Sequence, residues 1–134
     1  MSSPVSNNPF IFNNEIDSQC ITDLYGDDYA YVEEVFGTVL KEYGELTDNI
    51  NSAYTSSDIL ALKAAVHKMK PIFGFVGLKT IQQHCQLFEN KCQSATNLDL
   101  LAHDYKLLND NLAVSRTLLE EEKKKLERFN SHRP

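Results

Sequence analysis

His67 and Lys70 are the side chains of this sequence whose types and spacing point most directly to chemistry. They lie in Val66-His67-Lys68-Met69-Lys70-Pro71-Ile72-Phe73-Gly74-Phe75-Val76-Gly77-Leu78, where an apolar helical seam runs beside the histidine. Residues three apart on a helix are neighbours, with about 5–6 Å between their Cβ atoms. Lys70 can therefore reach a group attached to the His67 imidazole. Neutral imidazole is a competent nucleophile near pH 7, and an adjacent ammonium stabilises an anionic adduct. On a solvated helix face this pairing suits reversible phosphorylation better than metal binding or hydrolysis.

The elements that must position the pair are read from apolar periodicity. Four long segments step by three and four. The first spans about 28–52 through Val32, Val35, Phe36, Val39, Tyr43, Leu46 and Ile50. The second follows a Ser56-Ser57-Asp58 cap through Ile59, Leu62, Val66, Met69, Phe73 and Val76. The third uses Leu78, Ile81, Cys85, Phe88 and Cys92, and the last runs over about 97–129. Links at Ala53-Tyr54-Thr55, around Gly77 and at Ser94-Ala95-Thr96 are short, so consecutive helices must lie antiparallel. A shorter helix is expected over 17–24. The pattern predicts an all-α, up-down-up-down antiparallel four-helix bundle with a short N-terminal helix.

Residues 1–14, rich in Ser, Asn and Pro, read as a flexible leader onto which Phe10 and Phe12 could dock. The bundle is expected over 15–129, with 130–134 as a C-terminal tail. The EEEKKK run after Leu119 reads as a solvated helix end with i,i+4 Glu–Lys pairs.

At 134 residues, with five glycines and four prolines, the chain fits one domain and disfavours a turn-rich β architecture. The net charge of −6, without a basic cluster, argues against nucleic acid as a partner. Charge is nevertheless uneven. Residues 56–80 hold four lysines against Asp58, a net of +3, which leaves −9 on the remainder. A basic surround at His67 suits docking to an acidic site and steers its approach.

Three cysteines, Cys20, Cys85 and Cys92, are an odd number without a disulfide framework and read as reduced thiols. No signal peptide or membrane-length apolar run is visible, so a cytoplasmic address without a membrane partner is expected. Cys85 and Cys92 fall on an apolar stripe, and no four converging ligands suggest a metal site. His84 is expected beside that stripe, and His103 and His132 toward solvent. Neither Glu-x-x-His, a P-loop nor a dinucleotide fingerprint occurs.

The second and third segments resemble histidine-containing phosphotransfer (HPt) domains. That family carries A-H-x-L-K-G-S-S-x-x-x-G where this chain has V-H-K-M-K-P-I-F-G-F-V-G. By this resemblance His67 is the phosphorylated histidine, Lys70 the phosphate-stabilising lysine and Gly77 the closing glycine. Leu78, Ile81, Cys85 and Glu89 match an L-x-x-L-x-x-x-C-x-x-x-E run, in which Glu89 is the imidazole-orienting candidate. Leu24-Tyr25-Gly26-Asp27 is similar to the family's entry into its first long helix.

The resemblance implies a phosphocarrier relaying a phosphoryl group between receiver-domain aspartates, without an ATP site or cofactor of its own. The Mg²⁺ would sit in the partner receiver, and a hybrid histidine kinase is a further expected partner. A closed core suits a monomer. Docking candidates around His67 are Ile21, Leu24, Leu60, Lys63, Ala64, Lys68 and Pro71. Pro71 and Ile72 depart from the family's small Gly-Ser. Pro71 is bulkier than glycine, lacks an N–H and clashes with the His67 carbonyl, so a bend is expected there. This departure favours the competing reading, a non-transferring helical module that docks on a receiver domain or histidine kinase. A purely structural helical protein would leave the His67–Lys70 pairing to chance.

Overall fold

The computed structural model describes residues 9–132; residues 1–8 of the expected leader and 133–134 of the expected tail lie outside them. Helix boundaries follow local chemistry. Helix α1 (Ser18–Tyr25) opens on Asp17, which accepts from the Cys20 N–H, and closes at Gly26. Asp28 caps α2 (Tyr29–Thr55) by accepting from the Tyr31 N–H. Asp58 does the same for α3 (Ile59–Phe75) through Ala61. These side chains satisfy amides that a first helical turn leaves without intrahelical partners. Helix α4 (Lys79–Ser94) begins at Leu78 without a side-chain cap. A 3₁₀ turn over Leu98–Leu101, capped by Asn97, leads into α5 (Ala102–Ser131).

Helices α2 to α5 form a closed ring, each packed on two neighbours, with α1 laid against α2. Their directions are fixed by side-chain pairs. Lys63, His67 and Lys70 of α3 meet Gln93, Glu89 and Gln86 of α4, so one helix ascends as the other descends. Tyr54 stacks on Tyr105 where α2 ends and α5 begins, with ring centroids 3.6 Å apart. At the opposite end Asn130 donates to the Tyr29 carbonyl. The described residues contain no strand, and the helices form the bundle that the periodicity predicts.

The seam residues converge in the middle of the ring. Phe36, Tyr43, Met69, Phe73, Leu119 and Leu126 are fully buried, each large side chain contributing about 1.5–3 kcal/mol by leaving water. The one hydroxyl among them donates from Tyr43 to the Leu112 carbonyl at 2.6 Å. Cys85 and Cys92 are buried with them as the stripe predicts, and burial pushes their thiols up to about 12 and about 11.

Two segments depart from the sequence reading. Helix α2 runs through the expected link at 53–55 and ends at Thr55, because Ala53 is buried and Tyr54 stacks on Tyr105. The turn falls instead on Ser56–Asp58, with Ser57 at φ 57°. The EEEKKK run is not simply solvated, since Glu122 is buried. Its Oε1 accepts from the Asn13 N–H at 2.7 Å, and Lys125 lies 2.6 Å from its Oε2. Phe10 and Phe12 of the expected leader dock on the body, as the sequence reading allowed: Phe10 meets Tyr29 and Phe129, and Phe12 meets Phe36.

Gly77 is where α1 joins the α3–α4 turn. Its φ is 70°, its carbonyl accepts from Asp17 at 2.8 Å, and an added Cβ would lie 3.0 Å from the Asp17 carbonyl oxygen. Lys79, just beyond, pairs with Asp17 at 2.7 Å and holds that carboxyl below the usual range. Gly26 has a similar φ of 63° but open space around it. Gly77→Ala should therefore lower unfolding free energy by about 1–3 kcal/mol, and Gly26→Ala by only about 1 kcal/mol. Chemical denaturation of the two variants measures the difference; equal losses would show that the Asp17 contact carries no extra penalty.

Candidate functional site

The site is built across α3 and α4. Val66 and Met69 turn into the core, and His67, about 100° around the helix from Val66, stands at the rim with 69% of its side chain exposed. Its Nδ1 lies 2.8 Å from Glu89 Oε1. Glu89 follows Cys85 by one turn and Phe88 by one residue, which draws it inward to 4% exposure. Its other oxygen, Oε2, lies 2.9 Å from Lys70 Nζ, an ion contact outside hydrogen-bond alignment that leaves Oε2 with no hydrogen-bond partner among the described residues. Lys70 also donates to Gln86 Oε1 at 2.5 Å. One buried carboxylate thus touches both residues singled out by their spacing.

Electrostatics fixes what each atom can do. Glu89, facing the Lys70 ammonium, stands as a carboxylate and only accepts. The neutral imidazole must then carry its proton on Nδ1, which leaves the Nε2 lone pair free on the exposed ring. Breaking a buried charge pair by removing one partner costs about 3–5 kcal/mol, so Glu89 and Lys70 also hold the two helices in register. Lys70 is mostly covered, turned along the bundle toward α4 rather than out to solvent.

Helix α3 continues unbroken through Pro71, which is exposed one turn after His67 and offers its carbonyl no N–H. The Lys70 carbonyl accepts from Gln82 Nε2 at 3.3 Å. Gly74 makes room for that amide, since an added Cβ would lie 3.1 Å from it.

The predicted docking residues divide. Leu24, Leu60, Ala64, Lys68 and Pro71 are exposed, and Lys63 is half-buried against Gln93. Ile21 is a correction. It is 1% exposed and anchors α1 to the core, so it cannot belong to a docking rim. Three apart does not mean equally exposed: Ile21 and Leu24 lie about 60° apart on the helix, enough to put one inside and the other at the edge. Two further features escaped the sequence reading. Gln86 and Gln82 complete the polar ladder between α3 and α4, legible only once the helices are paired. Phe75 is exposed and closes the row Leu60, Ala64, His67, Pro71, which has its own three-four spacing opposite the buried seam.

Elsewhere, His84 is half-buried and its Nδ1 lies 2.9 Å from Asn111 Nδ2, while His103 and His132 are exposed. The described residues contain no cluster of three or more His, Cys, Asp or Glu able to hold a metal ion. None of their helices is long and apolar enough to cross a membrane.

The family model described as the Hpt domain matches residues 34–128, which include both helices of the site. The chain belongs to the Hpt domain family. Among solved structures it is similar to the HPt domain of the Hpt sensor hybrid histidine kinase from Shewanella, with a TM-score of 0.70. Identity is 17%, over 83% of this chain and 95% of that one, so the likeness is one of fold. No curated protein matches. Hpt domains are phosphocarrier modules, and membership places this chain in histidine phosphotransfer within two-component signalling, among receiver and kinase partners.

The Glu89 contact predicts the tautomer of His67. Long-range ¹H–¹⁵N spectra of the neutral ring should show the Nδ1–H form. Glu89→Gln, which keeps an acceptor, should retain that form, and a folded Glu89→Leu should shift toward Nε2–H. A wild-type ring already in the Nε2–H form would contradict the assignment.

Proposed function

We propose that His67 accepts a phosphoryl group on Nε2 from the aspartyl phosphate of one receiver domain and delivers it to the aspartate of another. The observation that carries this reading is the division of the imidazole: Nδ1 is engaged by buried Glu89, and Nε2 is free on an exposed ring. In-line attack by the Nε2 lone pair forms the N–P bond as the aspartyl O–P bond breaks, and the donor aspartate leaves as a carboxylate. The ring becomes cationic, and Glu89 stabilises that charge through Nδ1–H. Lys70, one turn away, leaves Glu89 and Gln86 to meet the phosphoryl oxygens. Such transfers depend chiefly on alignment and on stabilising charge over those oxygens. The second transfer reverses the sequence on another carboxylate.

The acceptor and donor aspartates, with the Mg²⁺ that neutralises them, belong to the receiver partners. Of its own the chain needs no cofactor and no ATP site, so it acts as a phosphocarrier intermediate. A hybrid histidine kinase would supply its phosphate upstream. The basic residues Lys63, Lys68 and Lys70 around an apolar row of Leu60, Ala64, Pro71 and Phe75 suit an acidic receiver site. A monomer in the cytoplasm, where its thiols stay reduced, fits this role.

Pro71 favours a second reading. Its ring stands on the exposed face one turn from His67, where close approach of a partner's backbone is needed. A module that docks on a receiver or histidine kinase without transferring phosphate would tolerate it.

Mixing the full chain with a phosphorylated receiver and Mg²⁺ separates the readings. The carrier predicts acid-labile, base-stable phosphate on His67, abolished in His67→Gln. Lys70→Ala should slow transfer roughly 100–1,000-fold, as loss of a charge-stabilising donor does. Binding without transfer would support the module, and neither binding nor transfer would overturn both.

A further inference from the structure

A long groove lies between α4 and α5, on the side of α4 turned away from the His67 ladder. Three concavities run into one another along it. The first is lined by Leu87, Phe88, Lys91, Asp104 and Leu107, and shares His84 and Asn111 with the second. The second shares Val114 and Leu118 with the third, which reaches Glu121 and Asn13. From Leu107 to Glu121 this covers about 21 Å of helix, the length of a four-turn helical segment.

Its lining is apolar where a partner would seat. Leu87, Leu107 and Val114 are all exposed large apolar side chains. On α5 the groove residues Asp104, Leu107, Asn111, Val114, Leu118 and Glu121 follow three-four spacing, which keeps them on one stripe. A row of this kind is what an amphipathic helix presents to, or receives in, a groove.

Charge selects among occupants. Of the charged residues lining the groove, Lys91 and Asp104 pair with each other at 2.7 Å and cancel. Glu15 and Glu121 remain, both toward the end near Asn13, and among the described residues no cation lies within ion-pair distance of either. That end is negative, on a chain whose net charge is already −6. A helix flanked by Lys or Arg at that end is complementary to it.

We propose that the α4–α5 groove binds an amphipathic helix of a partner protein, with apolar residues on Leu87, Leu107 and Val114 and Lys or Arg side chains against Glu15 and Glu121. The inference does not rest on phosphate transfer at His67. The groove and the histidine lie on different sides of α4, so both can be occupied at once.

A displayed library of 16-residue helices, with a fixed apolar row and randomised flanking charge, tests it against the full chain. Lys and Arg should be enriched at least tenfold over Asp and Glu at the flank, and binding should fall at least tenfold in Leu107→Asp and Val114→Asp. Both positions are exposed, so the variants should keep their helical circular dichroism. Glu15→Lys with Glu121→Lys should reverse the flank preference. An unbiased or acidic selection, binders indifferent to both substitutions, or no binders would overturn the proposal. So would a wild-type dimer, seen by light scattering, that Leu107→Asp dissociates, because the occupant would then be a second copy.

Discussion

The buried carboxylate of Glu89 is the interaction on which the site and its scaffold both depend. It is costly to place a charge inside a bundle unless partners meet it, and here the partners come from a neighbouring helix. Lys70 supplies the counter-charge and His67 the N–H. The pairing of α3 with α4 therefore sets the exposed ring nitrogen, and the same contacts keep the helices from sliding. A one-turn slip would move Glu89 about 5.4 Å along α3 and leave its charge unmet. Register and reactivity are secured together.

Around that pair the molecule is sided. The ring of helices puts a polar ladder at the α3–α4 seam, a row of Leu60, Ala64, Pro71 and Phe75 beside His67, and α1 against the α3–α4 turn. Helix α1 is held there by more than burial of Ile21. Asp17 reaches Gly77 and Lys79, and the Tyr25 hydroxyl donates to the Phe75 carbonyl at 2.7 Å. The α4–α5 side has a different character, apolar with an acidic end. One helix, α4, thus contributes to two surfaces of unlike chemistry.

The bundle was largely legible because its seams are regular. Leu62, Val66, Met69 and Phe73 step in strict three-four alternation, and all are buried. The caps Asp17, Asp28 and Asp58 stand where short polar residues precede such runs. What escaped is what a hydrophobic pattern misreads. Glu122 occupies the stripe position between Leu119 and Leu126, yet its charge and neighbours EEEKKK suggest solvent. Its buried carboxylate is met by the amide of Asn13, 109 positions away, and by Lys125. At the site, His67 and Lys70 were legible from local spacing, and Glu89 by likeness to a family run. The Gln86 and Gln82 contacts were not, because helix pairing alone brings them within reach. Ile21 was misplaced for a rotational reason, a small angle on a short helix deciding between core and rim.

The contact between Asn13 and Glu122 also has a bearing on when this protein can become whole. Phe10 and Asn13 complete their contacts against Phe129 and Glu122, more than a hundred positions away along the sequence. Contacts of such sequence separation are slow to close. Until α5 packs, Phe10 and Phe12 can meet Tyr29 and Phe36 of α2, but Phe10 lacks Phe129 and the Asn13 amide lacks its acceptor.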